Sequence, residues 1–132
     1  MRRSRKDDPE AIGRAAFEAR CDMMREHGCL CCLINLDIGL HVTGFGIPEI
    51  HHLNEGGLPG GKRRGDRYTI PLCSYHHRGR FPRDALHLRL EKEQVVARYG
   101  PSWVDGTPLF RAVYPGDEAL LAKIDGDPAE QT

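Results

Sequence analysis

The chain has 132 residues, of which 29% are charged and 39% hydrophobic. That length supports one domain with one modest core, and the balance excludes a wholly disordered chain. Aromatic residues are only 7%, so the core is expected to be thin and to gain from extra crosslinking. No segment approaches the ~20 apolar residues that span a membrane. The basic start, Met1-Arg2-Arg3-Ser4-Arg5-Lys6, is not followed by an apolar segment, which argues against a secretory leader. The expected compartment is the cytosol, where the five cysteines are thiols or metal ligands rather than disulfides.

The net charge is zero, but the charges are unevenly spread. Residues 62–92 hold nine Lys or Arg against three acids, and residues 104–132 hold two against six. Fifteen of the nineteen cations are Arg, which suits bidentate phosphate contacts. Charge alone leaves a nucleic-acid surface and a merely solvated face equally open, because the whole chain lacks a basic balance.

Residues 1–8 read as a basic arm, residues 9–124 as one domain, and residues 125–132 as an acidic tail. Asp8-Pro9 is a good helix start, and Ile12, Ala15, Ala16, Ala19 and Met23 follow at helical spacing. Phe17, Cys21 and Met24 widen that stripe, and Gly28 should end the helix. Residues 33–42 are rich in branched apolar residues, with a turn near Asp37-Ile38-Gly39. They read as short strands or an irregular hairpin. A second extended run covers residues 47–53. A Gly-rich basic loop, residues 54–67, follows, and then a strand over residues 68–72 that Pro71 restricts to an edge.

A short helix is expected from about Cys73, limited by Gly79 and Pro82. Residues 84–99 read as one helix with Leu86, Leu90, Val95 or Val96, and Tyr99 inward, stopped by Gly100-Pro101. Trp103, in the Pro/Gly loop beyond, reads as a core plug. Asp117 should cap a last helix with Ala119, Leu120, Leu121 and Ile124 on its apolar side.

Cysteine and histidine cluster in this chain. Cys29-Leu30-Cys31-Cys32 contains a Cys-x-x-Cys pair, and Cys73-Ser74-Tyr75-His76 supplies Cys-x-x-His. Two close pairs on separate elements are the usual way to build a closed tetrahedral zinc site. Cys31 is then surplus, and Cys21 belongs to the core. His51-His52 and His76-His77 form a second constellation. On a helix, residues 73 and 76 share a face, and so do residues 73 and 77, so spacing alone leaves open which His joins Cys73. His27 and His41 carry no signal.

Glu49-Ile50-His51-His52-Leu53, the Gly/Arg loop, and Tyr68-Thr69-Ile70-Pro71-Leu72-Cys73-Ser74-Tyr75-His76-His77-Arg78-Gly79 resemble the HNH, or ββα-metal, nucleases. Within them the pattern resembles the phage recombination-enhancement (Ref) family of RecA-dependent nucleases. The resemblance implies an α+β fold: a small zinc-braced ββα-metal core with flanking N-terminal and C-terminal helices. It implies that Cys29, Cys32, Cys73 and His76 hold structural zinc. His51 and His77 would hold a catalytic Mg²⁺ or Mn²⁺, with His87 as a candidate third ligand, and His52 would be the general base. Lys62, Arg63, Arg64, Arg67, Arg78, Arg80 and Arg83 would hold DNA phosphates. Tyr68 stands where the HNH name places Asn, with Asp66 nearby. Strict strand alternation sends His51 and His52 to opposite faces.

The expected partners are DNA and, through the family, a RecA filament, with no membrane and no small organic cofactor. A zinc module that binds nucleic acid without cutting it is the competing expectation. So is a nicking or restriction-type enzyme with no link to recombination.

Overall fold

The chain is described by a computed structural model covering residues 12–54 and 64–126. The expected arm over residues 1–8, the Asp8-Pro9 helix start, Lys62, Arg63 and the tail from residue 127 lie outside the described residues.

The first helix, α1, is Arg14–His27, and it ends as expected at Gly28, whose N–H returns to the Met24 carbonyl with φ at 86°. Its inward face differs from the expected one. Ala15, Ala16 and Ala19 are exposed, whereas Cys21 and Met24 are buried and Phe17 is half-buried. The larger side chains at spacings of three and four set the buried stripe, and the alanines take the solvent side.

The largest departure follows. Residues 33–42 do not form strands, because Leu30–Ile38 is a helix, α2. The apparent turn at residues 37–39 is its C-cap, with Gly39 in the left-handed region at φ 83°. Tertiary contacts override the strand preference of the branched residues. Cys31 and Asn35, one helical turn apart, are both fully buried. The Asn35 amide donates to the carbonyls of His41 (2.9 Å) and Tyr99 (2.8 Å), and its oxygen accepts from the Tyr114 hydroxyl (2.8 Å).

The extended runs do form as expected. Strand β1, Glu49–His52, pairs antiparallel with β2, Thr69–Leu72, placing His51 opposite Ile70 and His52 opposite Thr69. Pro71 sits in a two-stranded sheet, where every strand is an edge. All four β2 residues are buried, because α1, α2 and the last helix, Asp117–Asp125, pack around that strand. The chain then turns directly into α3, Ser74–Arg78, closed by Gly79 in the left-handed region.

The expected single helix over residues 84–99 is two: α4, Arg83–His87, and α5, Lys92–Tyr99. Arg89 breaks it with φ at 55°, and Glu91 opens α5 through a capping box with Gln94. Leu86 is therefore exposed rather than inward, and Ala85, Val95 and Tyr99 are the buried positions. Trp103–Asp105 forms one 3₁₀ turn, and Thr107–Val113 forms an unforeseen helix, α6, with Pro108 in its first turn. The last helix, α7, is Asp117–Asp125. Gly116 rather than Asp117 is its N-cap, and Asp117 pairs with Arg111 instead. Ala119 is exposed, while Leu120 and Leu121 are buried.

The fold is thus α+β, with helices clasping a small hairpin. The scarce aromatics are concentrated where they count: Tyr75, Tyr99, Phe110 and Tyr114 are all fully buried. Asn35 is the polar pin of this core. Asn35→Ala removes three hydrogen bonds, while the Tyr99 carbonyl and the Tyr114 hydroxyl keep partners in His76 and in each other, so it should cost about 2–4 kcal/mol at roughly 1 kcal/mol for each bond lost. Urea unfolding checks this, and a loss below ~1 kcal/mol would show that water replaces the amide.

Candidate active site and metal centre

Cys29 caps α2 and Cys32 lies in its first turn, while Cys73 caps α3 and His76 lies within it. The hairpin and α1 bring these two helix starts together. The three Sγ atoms and one imidazole nitrogen all lie within 4.8 Å of one another. His76 Nδ1 is 3.6 Å from Cys29 Sγ, 3.7 Å from Cys32 Sγ and 3.3 Å from Cys73 Sγ, and Cys32 and Cys73 are 4.0 Å apart. A tetrahedron with bonds of about 2.3 Å to sulfur and about 2.0 Å to nitrogen has edges of roughly 3.5–3.8 Å. The group therefore fits a structural metal such as zinc.

The surroundings match the same chemistry. His76 Nε2 donates to the Tyr99 carbonyl at 2.8 Å, which leaves the Nδ1 lone pair for an ion. The Thr43 hydroxyl donates to Cys73 Sγ at 3.2 Å. Burial pushes the Cys29 thiol well up, with further upward pushes from Cys32 and Cys73. Hydrogen bonds from Cys29 and Cys32, with help from His76, pull the Cys73 thiol far down. Burial opposes a charge on His76, but the Cys32 and Cys73 sulfurs outweigh it and push its pKa up to about 9. A divalent ion bound here would displace the protons of its ligands. Cys31 is buried beside the cluster with its thiol raised by burial, and Cys21 is buried on α1.

The choice between His76 and His77 that spacing leaves open is resolved by geometry. His77 turns away from the sulfurs, and its Nδ1 lies 2.8 Å from Glu49 Oε1. Its ring meets the His51 ring edge-on, with centroids 4.9 Å apart. On its other side His51 meets Trp103 at 4.7 Å. Trp103 is half-buried: it packs on the core through Phe110, with ring centroids 5.3 Å apart, as expected, and also walls this cluster. Glu49 also receives Arg78 at 3.0 Å and the Ser74 hydroxyl at 3.3 Å.

Alternation along β1 separates the two neighbouring histidines. His51 meets His77 and Trp103, whereas His52 meets the Phe17 ring at 5.9 Å and holds Asp66 Oδ1 at 2.9 Å through Nε2. Asp66 is thus the polar partner nearest the position where Tyr68 replaces the Asn of the HNH name. His87 is exposed in the last turn of α4.

The arginines divide into two sets. Arg64 is half-buried, 3.1 Å from the exposed Glu118 and 3.5 Å above the Tyr68 ring. Arg67, Arg78, Arg80 and Arg83 are exposed, with Arg78 beside the histidine pair through Glu49. Glu49, Asp66 and Trp103 carry site contacts that the motif reading leaves without a role. An acid two residues before a paired histidine, on the same strand face, is the signal that could have found Glu49.

The family model described as recombination enhancement, RecA-dependent nuclease matches residues 14–126. No curated protein and no solved structure matches the chain. Among the described residues, no helix is long and apolar enough to cross a membrane.

Elemental analysis of the purified chain should find one zinc per molecule. Cys73→Ser should lose that zinc and with it the folded state, because two helix starts are tied through this residue. Well-folded protein without metal, or a Cys73→Ser chain of parental thermal stability, would contradict the assignment.

Proposed function

The chain belongs to the recombination-enhancement, RecA-dependent nuclease family, and from that premise we propose that it is a metal-dependent DNA endonuclease of the HNH type. Membership makes it a nuclease linked to recombination. The observation that carries the finer reading is the β1–β2–α3 arrangement. One hairpin and one short helix bring His51 and His77 ring to ring, with a zinc-compatible cluster bracing the same helix.

The donor set at His51 and His77 fits a second, open metal site. Glu49 accepts the Nδ1 hydrogen of His77, which leaves Nε2 as a ligand atom. His51 and His77 would hold a divalent ion and leave room on it for water and phosphate oxygen; imidazoles also accept zinc or nickel, so Mg²⁺ or Mn²⁺ is assigned from the reaction and not from the donors. Such an ion, when bound, neutralises charge on the phosphate and on the leaving oxygen.

The remaining roles fall to the chain itself. His52 takes a proton from the attacking water. Trp103 shields one face of His51 from solvent. Arg78, Arg80 and Arg83 hold phosphates and set position rather than sequence. With these groups reading only the backbone, little sequence preference is expected. DNA is the substrate, a RecA filament the partner through which cutting is directed, and the cytoplasm the compartment.

Neighbouring histidines should separate in a mutational test. His52→Ala should keep fold, zinc and DNA affinity while cleavage falls about 10²-fold, the usual cost of losing a general base. His77→Ala should also fold, but lose the catalytic ion, with partial rescue by excess Mn²⁺. Cleavage by His52→Ala at the parental rate in either metal would remove His52 from the mechanism.

Binding gives an independent check. Affinity for DNA should fall linearly with salt on logarithmic axes, by counterion release. Replacing Arg67, Arg80 and Arg83 together should flatten the slope by about one unit for each phosphate no longer neutralised. An unchanged slope would mean that this face is only solvated.

A further inference from the structure

Between Gly28 and Glu49 the chain carries a single Asp, Glu, Lys or Arg, Asp37, although such residues make up 29% of the whole. The segment is not buried in compensation. Leu33, Leu36, Val42 and Ile47 are 41%, 65%, 46% and 75% exposed. Single exposed apolar residues are ordinary on a protein surface. Leu86 and Leu88, for example, sit among the charges of Arg83, Asp84 and Arg89. The stretch over residues 33–47 differs because Asp37 is the one charge along it. An exposed apolar patch without interspersed charge marks an interaction surface.

Local geometry gathers these side chains. Leu33 and Leu36 lie three residues apart on α2, so they share its outer face, away from the buried Cys31 and Asn35. The chain beyond Gly39 folds back along the same helix. Asn35 donates to the His41 carbonyl at 2.9 Å, and Thr43 Oγ1 lies 3.4 Å from Cys32 Sγ. Cys32 and Leu36 are one turn apart, so this strap runs beside Leu36, with Thr43 buried and Val42 exposed. Farther along, the Arg80 guanidinium lies 5.6 Å from the centre of the Phe45 ring, which joins the strap to the arginine face.

We propose that this apolar surface docks the protein of a RecA filament, while Arg80, with Arg78 and Arg83, holds the filament's DNA. The inference rests on the recombination-linked nuclease reading above and adds the surface that meets the partner. The family is RecA-dependent, and dependence requires a surface that the filament touches. Bare DNA does not fit the patch, because an uncharged surface releases no counterions from phosphate. A second copy of the chain fits poorly too. An obligate homodimer buries about 2,000 Å² or more, whereas these few side chains form only the apolar centre of a small, transient contact. Protein assembled on DNA offers both counterparts at once, an apolar surface with phosphates next to it. Two weak contacts made by one chain then reinforce each other.

The test uses the zinc-loaded full chain on two surfaces: single-stranded DNA alone, and the same DNA coated with RecA and a non-hydrolysable ATP analogue. Leu33→Gln, Leu36→Gln and Val42→Thr are combined, which removes apolar surface without changing charge. All three positions are exposed, so zinc content and thermal stability should stay parental. The parent should bind coated DNA more tightly than bare DNA. The triple variant should bind bare DNA within about twofold of the parent but coated DNA roughly 10-fold more weakly, the scale of losing an interface centre. Leu86→Gln with Leu109→Gln, exposed elsewhere, should change neither. Parental affinity of the triple variant for coated DNA, an equal loss in the Leu86/Leu109 variant, or a parent that does not distinguish the two surfaces overturns the proposal. So does a parent that sediments as a dimer which the triple variant dissolves, because the occupant is then a second copy. Hydrogen exchange on the parent needs no variant. Coated DNA should slow the backbone amides of residues 40–47 and bare DNA should not, and unchanged amides overturn the proposal even where the triple variant does not fold. Cleavage is read separately: if the parent cuts no DNA, the nuclease reading falls while the binding comparison still decides the surface.

Discussion

Three sulfurs and one imidazole, drawn from the starts of α2 and α3, are the constraint on which the rest of the molecule depends. Buried thiols and a buried histidine are costly to hold together unless a cation compensates them. The charge pattern shows that cost, with Cys29 pushed up by burial and Cys73 pulled down by its neighbours. A divalent ion held by these four donors would relieve this imbalance and tie the Cys-x-x-Cys turn to the Cys-x-x-His turn, fixing α3 against the hairpin. The orientation of His77 is inherited from that restraint, because His77 follows the ligand His76 on the same short helix.

Adjacent residues on regular elements face different directions, and this chain uses that twice. On α3, a rotation of about 100° per residue sends His76 to the sulfurs and His77 to Glu49 and His51. On β1, the two-residue period sends His51 to His77 and Trp103, and His52 to Phe17 and Asp66. Each doublet therefore serves two places. Helix α1 and the 3₁₀ turn at Trp103–Asp105 supply the flanking walls, so elements outside the hairpin and α3 also shape the site.

Much of this was legible in the order of residues. Cys29, Cys32, Cys73 and His76 could be read as one cluster because ligand type and spacing are set by metal geometry. The hairpin strands could be placed because two extended, branched-residue runs flank a Gly-rich segment, most of which lies outside the described residues. Helix α2 could not, because its branched apolar residues favour strands locally, and only the burial of Cys31 and Asn35 against distant elements makes it helical. The break at Arg89 and the helix α6 were hidden for the same reason: both are decided by what Ala85, Val95 and Phe110 bury against. Charge counting placed Arg64 on a phosphate-binding loop, but a count cannot show that Glu118 and Tyr68 already engage it. Glu49 and Asp66 stayed unassigned because their partners lie 28 and 14 residues away.

The central claim is that the zinc-braced hairpin and helix form a metal-dependent nuclease. It is tested most directly by incubating the zinc-loaded chain with circular DNA in Mg²⁺ or Mn²⁺, with and without a RecA filament, and repeating the reaction after brief chelation of the added metal. The account predicts strand cleavage that requires the added ion and stops on its removal while zinc stays bound. Failure to cut DNA under any of these conditions, or cutting that persists without the added ion, would contradict it.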